Sequence, residues 1–142
     1  MEKQMNYFDR EKLDVYKAAI ELVVLIDEIV NQLPRGRAYL VDQLQRAGTS
    51  VPLNIAEGAG EYSSNEKCRF YRMAKRSATE CAAIIDVCQR LKLMECVQLT
   101  KARDLLFRIV SMLTKMACIT KKPGTGTHAG TFTKNPSSQY FD

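Results

Sequence analysis

Residues 39–60 read YLVDQLQRAGTSVPLNIAEGAG. Within this stretch Leu40, Leu44, Ala47, Val51 and Ile55 recur every three or four residues, the spacing of one helix face. A second row runs beside the first: Gln43, Arg46, Ser50, Asn54 and Glu57, at steps of 3, 4, 4 and 3. A helix with an apolar stripe on one side and hydrogen-bonding groups along its flank belongs in a bundle of helices. The spacing predicts a helix from Tyr39 to Ala56 or Glu57. Pro52 falls inside it, removes one helical hydrogen bond and crowds the carbonyl of Gly48. A bend or a break into two shorter helices is expected there. Gly58 and Gly60 are expected to stop the helix, as a C-cap and turn.

The same pattern extends in both directions. Upstream, a helix is expected from Asp9, acting as N-cap, to Leu33, ended by Pro34 and Gly36. At about 100° per residue, Val15, Ala19, Leu22, Ile26, Ile29 and Leu33 form one apolar stripe. Leu13, Tyr16, Ile20 and Val23 form another beside it, while Asp14, Lys17, Glu21, Glu28 and Gln32 share a polar arc. Two apolar stripes call for burial on two sides, either deep in the bundle or in a subunit interface. Downstream, Ser63-Ser64-Asn65-Glu66 fits a capping box, with Ser63 as cap and Glu66 reaching back. The third helix then carries Phe70, Ala74, Ser77, Cys81, Ile84/Ile85, Cys88 and Leu91 toward the core. A fourth is expected from Glu95 to Thr120, with Leu99, Ala102, Leu106, Ile109/Val110, Leu113 and Ala117.

No strand pattern competes. The expected fold class is all-α, an antiparallel up-down four-helix bundle. The chain divides into an N-terminal extension (1–8), the bundle (9–120) and a flexible Gly/Thr-rich tail (121–142). In the tail, Phe132, Tyr140 and Phe141 are available to dock on a neighbouring subunit.

Composition narrows the function. The chain has 142 residues, 46% of them hydrophobic, enough for one domain with a core. Eleven charges in the first 30 residues argue against a secretory signal. The longest apolar run, Leu22 to Ile26, is far short of the roughly 20 residues of a membrane span. A cytoplasmic location without membrane contact is expected. The five cysteines, at positions 68, 81, 88, 96 and 118, have no metal-binding spacing and read as small buried hydrophobes.

Chemistry-bearing constellations are scarce. The single histidine, His128, lies in the tail, a poor place for general acid–base work. No Glu is followed three residues later by His, as a di-iron bundle requires. The Gly58-Ala59-Gly60 turn follows a helix and carries no Lys, unlike a phosphate loop. Neither a cofactor nor a metal is expected, and no enzymatic activity. The acids Glu57 and Glu80 are expected near the bundle interior, paired with Arg46 or with backbone. Together with Gln43, Ser50, Asn54 and Ser77 they read as a structural polar network that fixes register and partner choice. The functional alternative is a ligand pocket.

Charge is unevenly spread. Residues 1–34 hold four basic and seven acidic side chains, residues 61–94 seven and four, residues 95–122 six and two. The basic excess takes two forms. Arg69, Arg72 and Arg76 share a face of the third helix, with Lys75 adjacent. Lys101, Arg108, Lys115 and Lys122 recur every seven residues on the fourth, with no compensating acids among them. Such arrays bind phosphate backbones, so RNA or DNA is the expected partner. The alternative for both rows is an ordinary solvated face. Tyr62 and Tyr71 are available to stack on bases or to serve as core or interface residues.

Three segments carry a family resemblance. FDREKLDVY (8–16), QLQRAGTSVPLNIAEG (43–58) and FYRMAKRSATE (70–80) resemble the four-helix bundle proteins encoded within intervening sequences of bacterial 23S rRNA genes. The likeness covers residues 7–118, and Asn-Ile-Ala-Glu-Gly at 54–58 is its most specific part. The Gly48-Thr49 pair stands where small residues such as Ala are expected, and it leaves the signature intact. The resemblance implies an antiparallel bundle assembled as a homopentameric ring, with no established enzymatic activity. The accessory variability proteins of diversity-generating retroelements are similar in fold and assembly. For a chain of that kind the implied partners are a reverse transcriptase and a structured RNA. A protein–protein scaffold without nucleic-acid binding is the rival expectation. A cryptic enzyme would need an open pocket holding Glu57 and Glu80.

Overall fold

The computed structural model describes residue 10 and residues 13–119, with side chains to residue 117. Four helices account for nearly all of them: α1 (Asp14–Gln32), α2 (Ala38–Gly60), α3 (Ser64–Arg90) and α4 (Cys96–Ile119). No strand occurs among the described residues. Contacts join α1 to α2, α2 to α3, α3 to α4 and α4 back to α1, so each helix touches two neighbours around one core. No described helix is long and apolar enough to cross a membrane. The extension 1–8, the tail beyond residue 120 with its His128, Lys122 and aromatic residues, and the expected cap Asp9 lie outside the described residues.

The core follows the apolar periods. Val15, Ala19, Leu22, Ile26 and Ile29 of α1 are buried, as are Leu40, Leu44, Ala47, Val51 and Ile55 of α2. On α4, Ala102, Leu106, Ile109 and Leu113 are buried. Each Val, Leu or Ile among them contributes about 1.5–3 kcal/mol when fully removed from water, and each Ala roughly 0.8 kcal/mol or less. The second stripe of α1 does not enter this core: Leu13, Tyr16 and Val23 are half-buried and Ile20 is exposed.

Several local expectations are corrected by packing. The first helix opens at Asp14, with extended Leu13 in the cap position and no side-chain cap. The second helix runs unbroken through Pro52. Its flanking turns bury Val51 and Ile55, which offsets the roughly 3 kcal/mol local cost of proline. Nor does Gly58 stop it. A Cβ at Gly58 would lie 2.7 Å from Tyr71 Cε1 and 3.2 Å from Phe70 Cβ, so the missing side chain lets α3 approach. This contact also explains α3, where Tyr71 rather than Phe70 is buried and Phe70 is half-buried. Leu91, expected in the core, is 41% exposed beyond the end of α3. Half of the capping box forms: Ser63 Oγ accepts from Glu66 N–H at 3.4 Å. The Glu66 carboxylate pairs instead with Arg69 Nε at 3.3 Å.

Gly58→Ala therefore separates local propensity from packing. Helix propensity alone favours Ala by about 1 kcal/mol. Overpacking against a ring held in the core costs about 1–3 kcal/mol. A net loss of about 0–2 kcal/mol in denaturant unfolding is expected, and a gain would contradict the Gly58–Tyr71 contact.

The connections are short. The turn after α3 is a Schellman motif, with Leu93 N–H donating to Cys88 O at 2.9 Å and Lys92 N–H to Gln89 O at 3.0 Å. It places Lys92 at φ 58°, a left-handed position that glycine usually takes.

Candidate functional site

Helix geometry decides what the polar row of α2 does. Ser50, Asn54 and, on α3, Ser77 stand beside the apolar seam, close enough to water to be half-buried. The structure joins these three. Ser77 Oγ donates to Ser50 Oγ at 2.8 Å, and Asn54 Nδ2 donates to Ser50 Oγ and Ser50 O, each at 2.9 Å. Gln43, Arg46, Glu57 and Glu80 are exposed. Arg46 pairs with Asp42 Oδ2 at 3.3 Å, not with Glu57 or Glu80. No polar or charged side chain among the described residues is fully buried. The expected seven-residue network is thus a three-residue clasp between α2 and α3, with four exposed outliers.

The clasp borders an open notch of about 370 Å³ lined by Ser50, Asn54, Met73, Arg76, Ser77 and Glu80. Glu57 is not among its lining residues, so the notch does not hold the two expected acids together. Among the described residues, no group of three or more His, Cys, Asp or Glu is placed to hold a metal ion.

The basic row of α3 stands on the outer surface. Arg69, Arg72 and Arg76 are exposed and Lys75 is half-buried. Arg69 lies over the Phe70 ring at 4.9 Å, and Arg72 Nε donates to Cys68 O at 3.4 Å. These contacts hold the guanidinium stems against the helix while leaving most donors toward water. Arg72, Lys75 and Arg76 line one shallow depression with Thr79, Glu80 and Ala83. That depression shares Arg76 and Glu80 with the notch.

On α4 the picture differs. Lys101, Arg108 and Lys115 are exposed. Lys101 and Arg108, however, line a groove between α1 and α4 together with Glu21, Glu28 and Asp104. The ridge was expected to lack compensating acids; packing supplies Glu21 and Glu28 from α1, and Asp104 of α4 joins them. The groove floor is apolar, from Ile20, Val24, Leu25 and Leu105.

Of the two candidate stacking tyrosines, Tyr71 is 5% exposed and belongs to the core, whereas Tyr62 is fully exposed on the α2–α3 connection. Desolvation pushes the Tyr71 hydroxyl above its ordinary value. Cys68, Cys81 and Cys88 are buried and Cys96 is exposed. Burial, with a smaller contribution from Glu80, pushes the Cys81 thiol up to about 12, so it stays a protonated hydrophobe.

Three structurally important side chains have no signature in the sequence. Lys67 Nζ donates to Gly58 O at 3.2 Å and Ala59 O at 3.1 Å, capping the end of α2 from α3. Arg103 Nη1 meets Asp86 Oδ1 at 2.7 Å, tying α4 to α3. Met73 forms part of the notch. Each depends on a tertiary neighbour that periodicity within one helix does not name.

Comparison with known proteins follows the same lines. The family model described as 23S rRNA-intervening sequence protein matches residues 11–115. A protein with unknown function from the S23 ribosomal protein family of Bacteroides thetaiotaomicron VPI-5482, solved by crystallography at 1.70 Å, is similar with a TM-score of 0.69. The match covers 78% of this chain and 99% of that chain at 18% identity, a likeness of fold. No curated protein matches the chain.

Proposed function

Because the chain belongs to the 23S rRNA-intervening sequence protein family, we propose that it is a non-enzymatic, oligomeric accessory protein that binds RNA or DNA through the basic face of α3. The observation that carries this reading is the depression lined by Arg72, Lys75 and Arg76. Clustered cations on a rigid helix fit the regular charge of a phosphate backbone and carry no sequence information of their own. The α4 row contributes less, since three acids, Glu21, Glu28 and Asp104, share the groove with Lys101 and Arg108, against Glu80 alone in the α3 depression.

Self-association rests on the outer apolar surface of α1. Ile20 is 42% and Val24 56% exposed, and beside them lies the apolar groove floor. Connections at 33–37, 61–63 and 91–95 are short enough to favour an antiparallel up-down bundle. A homopentameric ring is the assembly that the family resemblance implies. A reverse transcriptase is the protein partner implied by the likeness to accessory variability proteins, and the cytoplasm is the compartment that suits such work.

A titration of the intact chain against labelled single-stranded RNA and DNA tests the reading. Binding at low salt that weakens sharply at high salt is expected. No binding at low salt overturns it and leaves the protein–protein scaffold.

A further inference from the structure

We propose that the notch between α2 and α3 receives one unpaired, donor-rich base, guanine above the others, from a strand whose phosphates lie on Arg72, Lys75 and Arg76. This rests on the nucleic-acid reading above and adds to it a site that reads base identity.

The first support is adjacency. Arg76 and Glu80 belong to both the basic depression and the notch, so a strand tracking the first presents its bases to the second. The second is the hydrogen-bond inventory. Within the clasp, the Asn54 amide group donates to Ser50 O and Ser50 Oγ, and the Ser77 hydroxyl donates to Ser50 Oγ. These donors are used internally; with the Arg76 guanidinium given to the phosphates, what remains is one donor, the Ser50 O–H, and several acceptors: Asn54 Oδ1, the Ser77 lone pairs and the Glu80 carboxylate. Among the described residues Glu80 and Arg76, one helical turn apart, form no ion pair or hydrogen bond with each other or with a third group. Both are available to a ligand.

An acceptor-lined notch selects a base edge that donates. Guanine presents N1–H and N2–H₂ side by side on its Watson–Crick edge, matched to the two oxygens of one carboxylate. Uracil presents only N3–H between two carbonyls, which an acceptor set repels. Met73, 40% exposed, offers a polarisable thioether to the base face. At about 370 Å³ the notch falls in the range of small-ligand sites, about 300–1,000 Å³. In a duplex the guanine edge is already paired, so the site requires single-stranded nucleic acid.

The test measures the full chain, by fluorescence anisotropy, against oligouridine, the same strand with one central guanosine, and the same strand with inosine there. The guanosine strand is expected to bind about tenfold more tightly than oligouridine. Inosine, which lacks the 2-amino group, should fall between them. In Glu80→Gln, an exposed position, the guanosine preference should drop below about twofold. Equal binding of guanosine and uridine strands by the unsubstituted chain overturns the notch proposal and leaves phosphate binding standing. So does a preference that survives Glu80→Gln. An equal ratio accompanied by loss of the oligomer in Glu80→Gln overturns it in favour of a second copy filling the notch. No binding of any strand overturns both this proposal and the reading it rests on.

Discussion

Replacing Arg69, Arg72 and Arg76 together by Glu is expected to lower the affinity for single-stranded RNA at low salt at least about a hundredfold. Each substitution removes a cation from the phosphate path and sets an anion there, and phosphate contacts dominate such affinities. The fold should survive. All three side chains are exposed, and the pair between Arg69 and Glu66 is of the surface kind, worth about 0–1 kcal/mol. Helix content and the unfolding midpoint check this. The same reversal of Lys101, Arg108 and Lys115 is expected to cost less than about tenfold, because α1 and Asp104 already place acids beside two of them. If α4 proves the more sensitive, the interface has been assigned to the wrong helix. If neither triple changes affinity, the charge serves solubility.

The largest expected effect on stability comes from Ile85→Ala. Ile85 is fully buried on α3, the helix that contacts both α2 and α4. Truncation removes three carbons from a packed interior and leaves a cavity that helices pinned on both sides fill only in part. A loss of about 3–4 kcal/mol is expected, with Tm lowered by about 10 °C or more. A loss below about 1 kcal/mol would mean that α3 is not central to the core.

What was legible in the sequence is what one helix decides by itself. The apolar row of α2 and the first stripe of α1 follow directly from period, and their residues are buried as expected except Leu33, which caps the end of α1 half-buried. What the sequence did not disclose depends on a second helix. Pro52 and Gly58 carry strong local signals to break or stop a helix. Burial of Val51 and Ile55 outweighs the first, and close approach of Tyr71 uses the second. Phe70, expected in the core stripe, is half-buried and Tyr71 beside it takes the core position, a difference of one residue, about 100° of rotation. The place of the α2 end, with its Gly58 gap, sets that rotation. Two of the three acids beside Lys101 and Arg108, Glu21 and Glu28, come from α1, some 80 residues away in sequence. The polar row was recognisable as a row, but its division into a bonded clasp and exposed outliers required the position of Ser77.

That division also changes the meaning of α1. Its second apolar stripe is only partly absorbed by the bundle: Leu13 and Tyr16 pack against the core, whereas Ile20, with Val24 beside the stripe, remains at the surface. Separate faces suit the separate tasks proposed: the α1 side assembly, the α3 side phosphate, and the notch at the α2–α3 seam a base.

The salt dependence of strand binding tests the central claim most directly. With Arg69, Arg72, Lys75 and Arg76 each neutralising one phosphate of a single strand, the plot of log affinity against log salt should have a slope of about −3. In the triple Glu variant at these arginines the slope should approach zero. A slope near zero for the unsubstituted chain, or one that the triple variant leaves unchanged, would contradict the assignment of phosphate binding to α3.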